Sequence, residues 1–291
     1  MYRDCTLCPR KCHADRTRST GFCRSGSIPR VNLYKLHFGE EPVISGESGS
    51  GTVFFEGCSL GCVFCQNYQI SRGRAKGGEE ADAQRLSAIF LELQSMGASN
   101  INLVTFMHFA PTVKEALIDA KNSGLKIPVA ANISGYEEVS TLKLLDGLID
   151  IYMPDFKFWD GKLSASLAAA PDYREKAVAA IAEMFRQTGP AAVENGLMVK
   201  GTLVRHLMLP GKLFDSKKII DHLTDTYGND IYISLMSQYT PMPGADGFLS
   251  RTLDPRHYES MVDYLAGKDQ INAFVQSMGS IGKETIPDFR E

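Results

Sequence analysis

Six short apolar runs, each followed by a stretch of helical character, constrain this chain most. The runs cover residues 52–56, 100–105, 127–131, 148–153, 197–203 and 231–235. Between the first two, residues 80–95 put Leu86, Ile89, Phe90 and Leu93 on one helical face. Pro111 suits the first position of the next helix, which runs through Lys121 to a stop at Gly124. Helices are also expected over 136–145, the alanine-rich 171–187, 216–227 and a closing stretch at 255–265, with 271–275 as a short extra strand. Strand–helix units in series imply a parallel sheet, because parallel neighbours need a crossover connection. Such a sheet closes as an α/β barrel or stays open and doubly wound. No Gly-x-Gly-x-x-Gly follows a strand, which argues against the dinucleotide-binding version of the open sheet.

The seven cysteines divide into two groups with none left over. Cys58, Cys62 and Cys65 follow the first strand in Gly57-Cys58-Ser59-Leu60-Gly61-Cys62-Val63-Phe64-Cys65. Three thiolates on one tight loop can hold three irons of a cubane [4Fe–4S] cluster, whose usual complement is four cysteines. The remaining iron is then open to bind and activate a small molecule. A structural zinc ion wants four ligands, and no further cysteine or histidine occurs before His108. The loop lies at the C-terminal end of a strand, where α/β barrels place their chemistry.

The other group is Cys5, Cys8, Cys12 and Cys23, spaced C-x2-C-x3-C-x10-C, with His13 as a replacement ligand. Four thiolates suit a zinc site or an auxiliary iron–sulfur cluster. The segment has little apolar content, so a metal would supply the fold that a core cannot. The N-terminus shows no apolar leader and no run approaches membrane-spanning length. A reducing, cytoplasmic setting and metal binding are therefore expected in place of disulfides. Residues 1–48 are expected to form a cysteine-rich cap, with a Gly/Ser/Glu/Pro-rich connector over 39–51, and residues 49–291 the barrel.

The three-cysteine spacing, with Phe64 before the last ligand, resembles the radical S-adenosylmethionine superfamily. The resemblance implies an open six-stranded partial barrel. It also implies reductive cleavage of S-adenosylmethionine to methionine and a 5′-deoxyadenosyl radical, with an electron from a flavodoxin- or ferredoxin-like partner. Met153-Pro154-Asp155-Phe156-Lys157 resembles the Asp-x-Lys motif of glycyl-radical-enzyme activating enzymes. By that resemblance Lys157 pairs with the cofactor carboxylate and Asp155 orients its methionyl end. Arg205, before an apolar run and Pro210-Gly211, resembles their fifth-strand cofactor-facing arginine. Asn132 and Ser134 match the ribose-side segment loosely; ordinary turn chemistry also explains them. The chain departs from the activating enzymes at the second strand end. There it reads Val104-Thr105-Phe106-Met107 in place of Gly-Gly-Glu, leaving Thr105 and backbone groups for the cofactor amine.

His108, His206, Gln238 and Tyr239 fall near strand C-termini and are candidates to face substrate. The expected function is an oxidoreductase that abstracts a hydrogen atom. Activation of a glycyl radical protein needs a wide barrel mouth. A small-molecule substrate suits a closed pocket with the cysteine module as its lid, and radical modification of a peptide or RNA is a further alternative. A non-enzymatic iron–sulfur carrier would need a fully ligated cluster. Arg3, Arg10, Lys11, Arg16, Arg18, Arg24 and Arg30 surround the N-terminal cysteines and offer phosphate contacts. The net charge of −3 supplies no general pull toward nucleic acid.

Overall fold

The computed structural model describes residues 1–73, 77–277 and 289. No helix or strand occurs between residues 1 and 29. After them come β1 (Arg30–His37), α1 (Pro42–Ser45), β2 (Ser50–Phe55), α2 (Tyr68–Ser71), β3 (Glu79–Glu80), α3 (Ala83–Ser95), β4 (Ile101–Val104) and α4 (Ala110–Asn122). The chain continues through β5 (Val129–Ile133), α5 (Val139–Lys143), β6 (Ile151–Pro154), α6 (Gly161–Ala168), α7 (Tyr173–Thr188), β7 (Ala192–Glu194) and β8 (Leu197–Leu207). It closes with α8 (Leu213–Tyr227), β9 (Tyr232–Met236), α9 (Pro255–Ala266) and β10 (Ala273–Val275).

The six expected strands are β2, β4, β5, β6, β8 and β9, adjacent in that order and parallel throughout. The alternation of runs called for a parallel sheet, and its form is the partial (β/α)6 barrel that the resemblance implied. Among the described residues, β10 adds a parallel edge beyond β9, while β1 and β3 form an antiparallel edge beyond β2. Residues 30–37, expected inside the cap, instead pair with β2 as β1. The cysteine module proper is thus residues 1–29. Residues 74–76, 278–288, 290 and 291 of the expected barrel lie outside the described ones.

Packing explains why the barrel forms. On α3, Leu86, Ile89, Phe90 and Leu93 are fully buried, and on α4 so are Val113, Ala116, Leu117 and Ala120. They pack with Val53, Leu103 and Ala131 into one apolar cluster outside the sheet. Each large side chain buried this way contributes roughly 1.5 to 3 kcal/mol. No cysteine belongs to that cluster. A second cluster joins α6, α7, α8 and α9 to the other half of the sheet and includes Cys62 and Phe64. Two helix expectations change. The helix expected over 136–145 shrinks to α5, because Gly135 takes a left-handed φ of 77° and Tyr136 and Glu137 fold inward. The alanine-rich stretch yields α7 and is preceded by α6, capped by Asp160 accepting from the Leu163 amide.

Candidate cluster and cofactor site

A cavity of approximately 530 Å³ opens at the C-terminal ends of the parallel strands. Cys58, Cys62 and Cys65 line it, as do all seven expected cofactor contacts: Phe64, Thr105, Asn132, Ser134, Asp155, Lys157 and Arg205. The topology brings them together because each follows, ends or lies in a parallel strand. The volume lies in the range of small-molecule sites, roughly 300 to 1,000 Å³.

The three thiols share one wall with a lysine. Burial, with Cys65 and Cys62 close by, pushes the Cys58 thiol well above the usual cysteine value. Burial raises Cys62 to about 12, against the pull of Lys157. Only a cationic partner makes such thiols thiolates, and a coordinating metal does so outright. Among the described residues, no three His, Cys, Asp or Glu side chains are close enough to hold a single metal ion. A cubane asks something different, since each thiolate takes its own iron. Three thiols around one cavity wall, and no fourth cysteine lining it, fit such a cluster with one open iron.

Lys157 Nζ donates to Asp155 Oδ2 at 2.5 Å. Burial opposes its charge, but Asp155 and Cys62 overcome that and hold its pKa above the ordinary lysine value. Thr105 has a left-handed φ of 59°, and its amide donates to the Asn132 carbonyl at 2.9 Å. A β-branched residue takes that conformation only where its surroundings enforce it. Thr105 thus keeps at this strand end a conformation that glycine would adopt freely.

Arg205 sits differently from expectation. Its Nε donates to Glu41 Oε1 at 2.9 Å, and its Nη2 donates to Glu40 Oε2 at 2.5 Å and to the second Glu41 oxygen. Glu40 also accepts from Asn102 at 2.7 Å. These carboxylates lie in the 39–51 segment that composition marked as a connector, and they take up the fork meant for a cofactor carboxylate.

Three of the four substrate-facing candidates do not line the cavity. His108 Nε2 donates to the Glu56 carbonyl at 3.0 Å, and burial with the nearby Arg16 charge lowers its pKa to about 3. His206 Nδ1 donates to the Phe156 carbonyl at 2.7 Å and Nε2 accepts from Ser216 at 2.8 Å. Burial lowers its pKa. Tyr239 donates to the Leu249 carbonyl at 2.6 Å. All three are buried hydrogen-bonded residues. Gln238 does line the cavity, and its backbone carbonyl accepts from Gln66 Nε2 at 3.0 Å, tying the cluster loop to the end of β9. Sequence reasoning missed Gln66, Glu40 and Glu41, which no local pattern marks.

The cysteine module is not a lid. No residue from 1 to 36 lines the cavity. The module packs behind the cluster loop: the Cys58 amide donates to the Cys23 carbonyl at 3.3 Å, and Arg10 Nε donates to the Ser59 carbonyl at 2.9 Å. The buried Arg16 reaches the His108 carbonyl at 2.6 Å and the Ser25 carbonyl at 3.0 Å. Gly57 makes this approach possible. A Cβ there would stand 2.0 Å from Ser25 Oγ and 2.7 Å from the Cys23 carbonyl, and its φ is +88°. Gly57→Ala is therefore expected to destabilise the protein by more than about 1 kcal/mol and to lower the iron retained per chain after reconstitution. Thermal melts and iron analysis check both. Wild-type values would mean that the module does not seat the loop.

Comparison with known proteins fits this architecture. No protein-family model matches the sequence. The uncharacterized protein MJ0674 of Methanocaldococcus jannaschii is 28% identical over 252 residues, covering 83% of this chain and 67% of that protein. Among solved structures, SuiB of Streptococcus suis bound to S-adenosylmethionine aligns with a TM-score of 0.52 at 16% identity, over 76% of this chain and 48% of its own. SuiB bound to its precursor peptide SuiA aligns equally well, over 46% of its length. A radical SAM methyltransferase from Sphaerobacter thermophilus aligns with a TM-score of 0.53 at 15% identity, over 78% and 66% of the two chains. The chain spans about half the length of SuiB and just under two thirds of the methyltransferase. These likenesses establish the fold. The chain carries the fold of these structures, an open barrel of six parallel strands.

Proposed function

We propose that this chain is a radical S-adenosylmethionine enzyme acting by hydrogen-atom abstraction. One observation carries the reading: the three cysteines, Lys157, Asp155 and the strand-end residues line a single cavity. Cys58, Cys62 and Cys65 would hold the [4Fe–4S] cluster. When bound, the cluster supplies the electron that cleaves S-adenosylmethionine to methionine and a 5′-deoxyadenosyl radical. Lys157 offers its ammonium to the cofactor carboxylate, Asp155 orients the ammonium, and Thr105 and Asn132 present polar groups to the remainder. Phe64 gives the cluster loop an apolar anchor, packing edge-on to Phe158 at 5.9 Å.

The test is anaerobic reconstitution with iron and sulfide, reduction with dithionite and addition of S-adenosylmethionine. Formation of 5′-deoxyadenosine supports the reading. An intact four-iron cluster with no product, even with a flavodoxin or ferredoxin supplied, counts against it.

The substrate reading favours a peptide or protein segment, including the glycine-bearing loop of a glycyl radical protein. No residue of the cysteine module lines the cavity, so the mouth has no lid from that source. SuiB, similar in fold, was solved with a precursor peptide.

An auxiliary cluster at Cys5, Cys8, Cys12 and Cys23 belongs to the same proposal; zinc there requires the thiols to draw together, since among the described residues no three such side chains stand close enough to share one ion. A Cβ on Gly21 would lie 3.2 Å from Cys12 Sγ and 3.5 Å from Cys23 Sγ, so those thiols flank one point. Cys5, Cys8 and Cys23 are buried in a segment without regular structure, and all seven cysteines are free thiols. The variant with Cys58, Cys62 and Cys65 all changed to alanine is expected to retain one zinc or a set of irons per chain by elemental analysis. Retention of neither removes the module's metal.

A further inference from the structure

Tyr173 was not singled out by any sequence pattern, yet its hydroxyl joins two strand ends that form the cavity wall. It sits at the start of α7 and is fully buried. The hydroxyl oxygen accepts from the Lys157 amide at 2.9 Å. Its one proton faces two carbonyls, those of Ser134 and Asp155, each at 2.8 Å. The hydroxyl therefore touches the backbone of Asp155, Lys157 and Ser134, all three of which line the cavity.

The surroundings are built around this contact. A Cβ on Gly135 would stand 2.0 Å from the Asp155 carbonyl and 3.0 Å from the Tyr173 hydroxyl, so only glycine allows the two strand ends to meet there. The ring is held edge-on by Phe158 at 5.2 Å and stacked on Tyr136 at 6.0 Å. Burial raises the Tyr173 pKa well above the ordinary tyrosine value, so the hydroxyl keeps its proton to donate.

We infer that Tyr173 is a positioning residue for S-adenosylmethionine, holding the Asp155–Lys157 backbone at a set distance from the Asn132–Gly135 turn. The inference rests on the functional reading above. Its physical basis is that groups behind the ligand-contacting residues fix their geometry, and losing them typically weakens a site about 10- to 100-fold. Removing the hydroxyl leaves the Lys157 amide and two carbonyls without this partner, and Lys157 Nζ loses its fixed origin.

The test compares Tyr173→Phe with Tyr136→Phe in the reconstituted full chain. Tyr136 is the stacked neighbour; its hydroxyl donates to Asp172 at 2.7 Å, and it does not line the cavity. Both variants lose one hydroxyl from the same aromatic pair, so general loosening should affect both. The readouts are iron and sulfide per chain, and the Kd for S-adenosylmethionine from its perturbation of the reduced-cluster electron paramagnetic resonance signal. Tyr173→Phe is expected to raise that Kd about tenfold with cluster content unchanged, while Tyr136→Phe leaves it near wild type. Equal Kd values for wild type and Tyr173→Phe, or equal increases in the two variants, overturn the inference. No cofactor-dependent signal in the wild type overturns the functional reading instead.

Discussion

Changing Cys58, Cys62 or Cys65 singly to alanine is expected to reduce 5′-deoxyadenosine formation to background while the chain stays folded. The larger part of this expectation is chemical. With two thiolates left, two irons of a cubane lack protein ligands, and the cluster is lost or changes type. The structural part follows from the core. The apolar cluster that unites α3 and α4 with the sheet contains no cysteine, so circular dichroism and a cooperative melt should survive. Cys62 packs within the second apolar cluster and should show the largest drop in melting temperature of the three. Full turnover in any one variant would disprove the ligand assignment. Loss of fold in all three would show that the barrel depends on the cluster.

Arg205→Ala is expected to cost roughly 3 to 5 kcal/mol at neutral pH, because removing one partner strands a buried charge on the other. Arg205, Glu40 and Glu41 have side chains no more than 10% exposed. Burial alone would raise the Glu41 pKa, but the Arg205 charge and hydrogen bonds outweigh it and hold it below the ordinary value. In the wild type this contribution to stability is present above the unfolded carboxylate value, about 4.3. It is lost as pH falls through the lower folded value. In the variant burial is opposed only by the hydrogen bonds from Ser234 and the backbone, so the folded pKa of Glu41 rises from its wild-type value and the penalty grows as pH rises through it. The wild-type advantage in melting temperature should therefore shrink on acidification from about pH 7.5 to about pH 5. An unchanged difference would mean that the carboxylates find another partner or water.

Local signals made the scaffold legible. Each parallel strand is buried, so its apolar run stands out, and each helix carries its own periodicity. The strand-end rule and the resemblance together put Asp155, Lys157, Asn132 and Thr105 beside the cysteine loop, where all four line the cavity. Where the reading missed, it missed non-local partners. Arg205 carried the motif of a cofactor ligand, but its guanidinium is taken by two glutamates more than 160 residues away in sequence. His108, His206 and Tyr239 lie near strand ends, but their polar atoms are met by the Glu56, Phe156 and Leu249 carbonyls, which no sequence pattern records. Tyr173 was hidden for the opposite reason, as one aromatic residue in an alanine-rich helix.

The sequence by itself determined the order of parallel strands, the three-thiol loop after the first of them and the strand-end residues that face it. Those properties depend on spacing and burial period, both of which are written along the chain. Tertiary structure alone decided which charged and polar groups are free to meet a ligand. It satisfied Arg205 with Glu40 and Glu41, set the cysteine module behind Cys58 through the space that Gly57 leaves, and set the Tyr173 hydroxyl against the backbone of the Asp155–Lys157 segment. A buried polar group takes whatever partner the fold brings within hydrogen-bond reach, and that partner is chosen by distance in space.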